Sequence, residues 1–264
     1  TDDPAKENAD TSGGLTFDAT GAEMHTTLHD ISPSPVESGV IWAGSDDGNV
    51  QVTRDGGESW SNVTAALRDA PETGWVSDIE PSNHAAGTAW VVFDEHRRGD
   101  WTPWIFKTSD FGQSWQRQGA AIDGFVHAIE EDPVEPRLVF AGTEFGLWFS
   151  LDAGDSWHRW KALPALAIRD LEVHARDGDL VLGTHARGIW VIDAVHALRE
   201  LAATPSLSAE PVHLFEAPVA WAHEIAEAIG YRSTGMAMWQ GETRTYGMPL
   251  TFWNAGEAGR ARIE

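Results

Sequence analysis

Cysteine is absent from the 264 residues, which excludes disulfides, a thiolate metal site and a thiol nucleophile. Lysine is nearly absent: Lys6, Lys107 and Lys161 are the only three. No apolar run approaches the roughly 18–20 residues that a membrane-spanning helix needs, so membrane insertion is not expected. The opening residues, TDDPAKENAD, are polar and acidic, unlike a signal peptide. The first residue is not methionine; the expectation is a segment of a longer protein, with any export signal upstream. P-loop, GxGxxG, GxSxG and HExxH patterns are all missing. Nucleotide binding, serine hydrolysis and a metal centre therefore lack support, and no cofactor is expected.

Acid is what the chain has in excess. Asp and Glu total 41 against 18 for Lys and Arg, a formal charge of -23. Such a surface repels phosphate backbones, which argues against nucleic acid and anionic membranes as partners. It suits a soluble exported protein or one adapted to high salt, and it says nothing about fold. Tryptophan is the second excess, at 14 beside two tyrosines. Trp42, Trp90, Trp148 and Trp190 lie in apolar strand-like runs, where large aromatics pack cores.

An eight-residue frame occurs three times: TRDGGESW at 53–60, TSDFGQSW at 108–115 and SLDAGDSW at 150–157. The copies lie 55 and then 42 residues apart, close to the length of a four-stranded propeller blade of roughly 40–50 residues. The segments before each copy repeat as well. A first strand and acidic or Ser/Pro turn (HTTLHDISPSP, GWVSDIEPSN, GFVHAIEEDP) precede an apolar second strand (GVIWAGS, GTAWVVFD, RLVFAGT). A third strand runs into the frame (NVQVTRD, WIFKTSD, GLWFSLD), and the Trp opens a short fourth. A modified fourth unit has AIRDLEVHARDG, DLVLGTH and GIWVID, then diverts into a short helix, AVHALREL, without the frame. PVHLFEA at 211–217 suits either its outer strand or the segment that follows.

The predicted fold is all-β: a β-propeller segment of three complete blades plus a modified fourth, half of a larger ring of roughly six to eight blades. The expected divisions are a loop from a preceding blade at 1–24 and blades at about 25–66, 74–119, 124–162 and 167–217. A linker with a short helix at 218–245 and the start of a truncated β-sandwich at 246–264 complete them.

The frame residues have structural tasks. Asp55, Asp110 and Asp152 can accept backbone N–H bonds across a hairpin turn. Thr53, Thr108 and Ser150 can cap further groups, and Gly57, Gly112 and Gly154 permit positive φ. Trp60, Trp115 and Trp157 can fold onto the hairpin. Three identical aspartates on successive blades cannot share one active site, so repetition marks architecture.

These copies resemble the Asp-box, or BNR, repeat. Together with SGGLTFDATGAE, GTEFGLWFSLDAG and DLVLGTHARGIWVID they resemble large exported bacterial proteins similar to the sortilin/VPS10 propeller, often described by homology as BNR-repeat glycosyl hydrolases. The resemblance spans about residues 10–250, with Ala186 where GTHGRGIW would have glycine, and without the cysteine-rich module of eukaryotic sortilins. It implies a secreted or periplasmic protein whose ligands meet the face opposite the Asp frames, around the central channel. On that face lie SDDGN, DEHRRGDW, TEFG and THARG. Asp46, Asp47 and Glu144 are the candidate catalytic acids for a glycosidase, which needs two flanking carboxyl groups. As solvated hairpin acids they would do no chemistry. Glu95, His96, Arg97, Arg98, Trp101, His185 and Arg187 are candidate ligand-binding residues. The longer loop DEHRRGDWTPW could hold an acidic sugar or peptide carboxylate, or contact other blades. Two functions follow: a binding or scaffolding module for a protein or glycan, and a glycoside hydrolase of the xyloglucanase or sialidase kind. The expected partners are a glycan or protein ligand and the remaining blades of the same polypeptide.

Overall fold

The computed structural model describes residues 27–72, 74–219 and 248–256. Four antiparallel sheets follow one another along the chain, each a meander in which sequential strands are neighbours. The first joins β1 (Leu28–Pro33), β2 (Ile41–Ser45), β3 (Val50–Thr53) and β4 (Ser61–Asn62). The second joins β5 (Trp75–Pro81), β6 (Ala89–Asp94), β7 (Trp104–Thr108) and β8 (Gln116–Gln118). The third joins β9 (Val126–Glu131), β10 (Val139–Thr143), β11 (Gly146–Ser150) and β12 (His158–Arg159). The fourth has three strands, β13 (Ile168–His174), β14 (Asp179–Thr184) and β15 (Ile189–Ile192), and is followed by α1 (His196–Ala203).

The second and third sheets are each covered on one face by the sheet before and on the other by the sheet after. That is why the second strands read as unbroken apolar runs: both faces are buried, so alternation does not expose every other residue. Along β6, Ala89, Val91 and Phe93 pack toward the first sheet with Val50, Val52 and Trp42. Trp90 and Val92 point the other way, into a core with Ile129, Val139 and Trp157 of the third sheet. A third core joins Phe140 and Leu147 to Ile168, Leu180 and Leu182 of the fourth. This radial stacking of four-stranded meanders is the blade arrangement of a propeller.

The first strand of each sheet carries a register shift next to an acidic or small residue, between Leu28 and Asp30, Val76 and Asp78, and Ile168 and Asp170. The first two of these aspartates reach the following blade, while Asp170 accepts the Leu171 N–H of its own strand at 3.0 Å. Asp30 Oδ2 accepts the N–H of Ile79 at 2.7 Å, and Asp78 Oδ2 accepts that of Ile129 at 2.7 Å. In the third blade Ala128 takes this place, and Glu130 accepts the Val173 N–H at 3.0 Å instead.

Val212–Leu214, β16, does not join the fourth sheet. It pairs antiparallel with β17 (Phe252–Asn254), so that among the described residues the fourth blade keeps three strands. The expected loop at 1–24 and nearly all of the linker at 218–245 lie outside the described residues, as does the end of the segment at 246–264.

Candidate functional site

The three repeated turns are built from the same bonds. Thr53, Thr108 and Ser150 donate their hydroxyls to Asp55, Asp110 and Asp152 at 2.7, 2.8 and 2.8 Å. The same hydroxyl oxygens accept the N–H of Gly57, Gly112 and Gly154 at 3.0, 3.0 and 2.8 Å. Each carboxylate also accepts the backbone N–H and hydroxyl of the serine four residues on, Ser59, Ser114 and Ser156. The glycines sit at φ 99°, 80° and 98°, where a side chain would be strained. The bonds from serine hold the Asp55 carboxyl well below the usual range and lower that of Asp110. The frame tryptophans differ. Trp157 is buried and Trp115 is half-buried edge-on against Trp42 of the first blade, but Trp60 is 42% exposed. Trp115 and Trp157 pack on the blade before their own, and among the described residues no blade precedes that of Trp60.

The opposite face carries the loops after β2, β6, β10 and β14. In the first, Asp47 is fully buried, accepting bonds from Ser45 Oγ and from Asn49 Nδ2, the latter at 2.7 Å. Asp46 accepts the Thr27 N–H at 2.8 Å. Asp47 thus staples its own hairpin, and Asp46 ties that hairpin to the residue before β1. In the last loop His185 and Arg187 are exposed; the His185 N–H reaches the Ala167 carbonyl at 2.8 Å, and the Arg187 carbonyl accepts Trp190 Nε1 at 3.2 Å.

The middle two loops come together. Asp94, at the end of β6, accepts His96 Nδ1 at 2.6 Å and the His96 N–H at 3.0 Å, and its second oxygen lies 3.2 Å from His127 Nδ1. His127 Nε2 stands 3.2 Å from Glu144 Oε2. Arg169, on β13, closes the group at 3.0 Å from His127 Nδ1 and 3.3 Å from Glu144. His127 Nδ1 therefore faces both a carboxylate and a guanidinium. The tautomer with its proton on Nε2 leaves Nδ1 to accept from Arg169, whereas a proton on Nδ1 is donated to Asp94. Burial pushes the Asp94 carboxyl up, but hydrogen bonds from His127 and His96 outweigh it and leave the group below its ordinary value. Beside it, burial raises Glu95 in spite of Arg98, whose Nη1 lies 3.0 and 3.1 Å from the carboxylate oxygens. Arg97 turns away and caps the Trp75 ring at 3.5 Å.

Aromatic rings border this polar group. His96 stacks on Phe125 at 4.9 Å, and Trp101 meets Phe125 edge-on at 5.3 Å and lies parallel to Phe145 at 5.8 Å. Trp101 remains 53% exposed. Of the residues singled out from sequence, His96, Trp101 and Glu144 join this group, while Glu95 is buried and pairs with Arg98. Asp94, Phe125, His127, Phe145 and Arg169 were not foreseen. A signal for two of them existed: aligned by blade, the residue before the shifted position reads His29, Ser77, His127, Arg169, polar in every inner strand.

At the other end of the inner strands a pocket of about 330 Å³ is lined by Glu80, Glu130, Glu172 and prolines including Pro33 and Pro81. Burial, then neighbouring carboxylates, raise Glu80. Burial likewise raises Glu130, in spite of the Val173 N–H, and brings Asp78 beneath them to about 8. Among the described residues no cluster of three or more His, Asp or Glu is gathered as a metal would require, and no helix is long and apolar enough to cross a membrane.

No family model and no curated protein matches the chain. Solved structures do. A GH74 xyloglucanase from Xanthomonas campestris is similar at a TM-score of 0.54 and 16% identity, over 66% of this chain and 30% of that one. A GH74 enzyme from Niastella koreensis is similar at 0.50 and 9%, over 63% and 28%. YCF48 from Cyanidioschyzon merolae is similar at 0.48 and 16%, over 65% and 54%. These are β-propeller proteins, and at such identities the likeness is one of fold. The chain spans between 28% and 54% of the length of these three structures.

Proposed function

We propose that this chain is an extracytoplasmic Asp-box β-propeller segment of the sortilin-like kind that acts as a binding or scaffolding module, meeting a protein or glycan on the Trp101 face. The observation that carries the reading is the joining of an exposed aromatic platform, Trp101 over Phe125 and Phe145, to a bonded Asp94–His127–Glu144–Arg169 group. Stacking surfaces with fixed polar neighbours suit a sugar ring or a peptide side chain. The acids argue against hydrolysis on this face. Asp46 accepts the Thr27 N–H, Asp47 holds its hairpin, and Glu144 is engaged by His127 and Arg169, whereas a glycosidase needs one carboxyl to donate a proton and another to attack or activate water.

The test pairs binding with turnover. Tryptophan fluorescence titrations against xyloglucan oligosaccharides, sialyl-lactose and an arrayed peptide library should find a ligand that Trp101→Ala loses. No reducing sugar should be released from any polysaccharide. Release that Glu144→Gln abolishes without unfolding would establish the glycoside hydrolase instead.

A further inference from the structure

Three blade-to-blade contacts within the chain follow one plan, and the plan is left open at both ends. The residue of the third strand that faces the next blade is Val50, Ile105 or Leu147 in the first three blades, each 0% exposed; its counterpart Ile189 is 76% exposed. The residue of the first strand that faces the preceding blade is Ile79, Ile129 or Leu171, at 1%, 2% and 6%; its counterpart Ile31 is 58% exposed.

Glycine tells the same story at closer range. A Cβ on Gly44 would lie 2.3 Å from Val76 of the second blade, and one on Gly142 would lie 2.7 Å from Ile168 of the fourth. Gly183 occupies the same position in β14, yet its nearest contact is Asp170 of its own blade. The space that the next blade fills elsewhere is open here among the described residues.

Polar pairing adds a directional code. The shifted aspartate of one blade accepts the N–H one residue beyond the shift in the next, as Asp30 does from Ile79 and Asp78 from Ile129. The residue two further on accepts the next N–H that points the same way, as Glu130 does from Val173, while Glu80 stands 3.5 Å from the Glu131 nitrogen. Where that second donor is missing, the acceptor is missing too: Ser32 corresponds to the glutamates, and Pro81, opposite, has no N–H. The fourth blade presents both acceptors, Asp170 and Glu172, and both are exposed.

We infer that the outward face of the fourth blade seats a further propeller blade whose inner strand supplies two alternate backbone N–H groups to Asp170 and Glu172 and an apolar side chain to Gly183. A second copy of this chain is not that occupant. Its first blade would offer the Ile31 N–H to Asp170, but Pro33 stands where Glu172 needs a donor. The inference rests on reading these sheets as part of a larger propeller and is independent of what the Trp101 face binds.

Sedimentation velocity on the 264-residue chain tests it. The wild type should remain a monomer of 28.8 kDa at every accessible concentration. Pro33→Val, which restores the N–H, should make the two ends complementary and raise the weight-average mass with concentration. Adding Gly183→Val, which fills the seat, should return it to monomer. Circular dichroism checks that each variant folds, with Pro33→Ala as the smaller replacement. Wild-type association that Gly183→Val abolishes would make a second copy the occupant and overturn the inference; so would a folded Pro33 variant that stays monomeric. Either result leaves ligand binding by Trp101 untouched, so failure of this inference is separable from failure of the binding reading.

Discussion

Replacing Ser150 by alanine removes the centre of the third repeated turn. Ser150 is fully buried, donates to Asp152 at 2.8 Å and accepts the Gly154 N–H at 2.8 Å and the Asp152 N–H at 3.2 Å. Alanine leaves the buried Gly154 N–H without an acceptor, and an orphaned buried donor costs about 1–3 kcal/mol. For a chain of this size each kcal/mol lowers Tm by about 2–4 °C, so a loss near the middle of the range moves the melt by roughly 4–8 °C. Two controls isolate the cause. Ser150→Thr keeps the hydroxyl, as Thr53 and Thr108 do in the other copies, and should melt close to wild type. The Asp152 carboxyl sits below its ordinary value because bonds from Ser156 and Ser150 outweigh burial. A lowered folded-state pKa stabilises above the unfolded value, and that contribution is lost as pH falls through the folded one. The gap between wild type and Ser150→Ala should therefore narrow in acid. Thermal melts followed by near-ultraviolet circular dichroism, with Trp157 as the local reporter, measure both. A Ser150→Ala melt superimposable on wild type at neutral pH would refute the turn as a stabilising unit.

Asp132→Ala should cost about 3–5 kcal/mol in urea denaturation, because the fully buried carboxylate holds Arg199 of α1 at 2.9 Å and caps Val134 and Glu135. Arg199→Met should cost less, since those two N–H bonds remain. Asp78, at about 8, and the raised Glu80 and Glu130 bind protons in the folded state that the unfolded chain has released. Their contribution is complete below the ordinary carboxylate range and lost as pH rises toward the folded values. The urea midpoint should thus fall between pH 6 and 9, and Glu130→Gln should flatten the slope. Gly142→Val should destabilise by about 1–3 kcal/mol by overpacking against Ile168, while Gly183→Val, whose Cβ would meet Asp170 of its own blade at 3.1 Å, should cost less.

The meander of each blade was legible in the residues because its determinants are local. A hydroxyl, an Asp and a Gly within five positions, as in Thr108, Asp110 and Gly112, close a turn whose bonds all lie inside the hairpin. Strands of Val, Ile, Phe and Trp between such turns have little choice but to pair with their neighbours in sequence. The same locality misled where the acids were concerned. SDDGN reads as exposed carboxylates, and only the folded hairpin shows Asp47 bonded to Ser45 and Asn49 out of contact with solvent.

Composition and repetition by themselves determined a sheet protein of serial hairpins, without thiol chemistry and with a strongly acidic surface. Tertiary structure alone decided which side chains share a site. Asp94, His127, Glu144 and Arg169 are drawn from three blades and separated by up to 75 residues, and no periodicity along the chain encodes their meeting. The stacking of one blade on the next does, because burying both faces of each sheet fixes which inner-strand residues stand side by side.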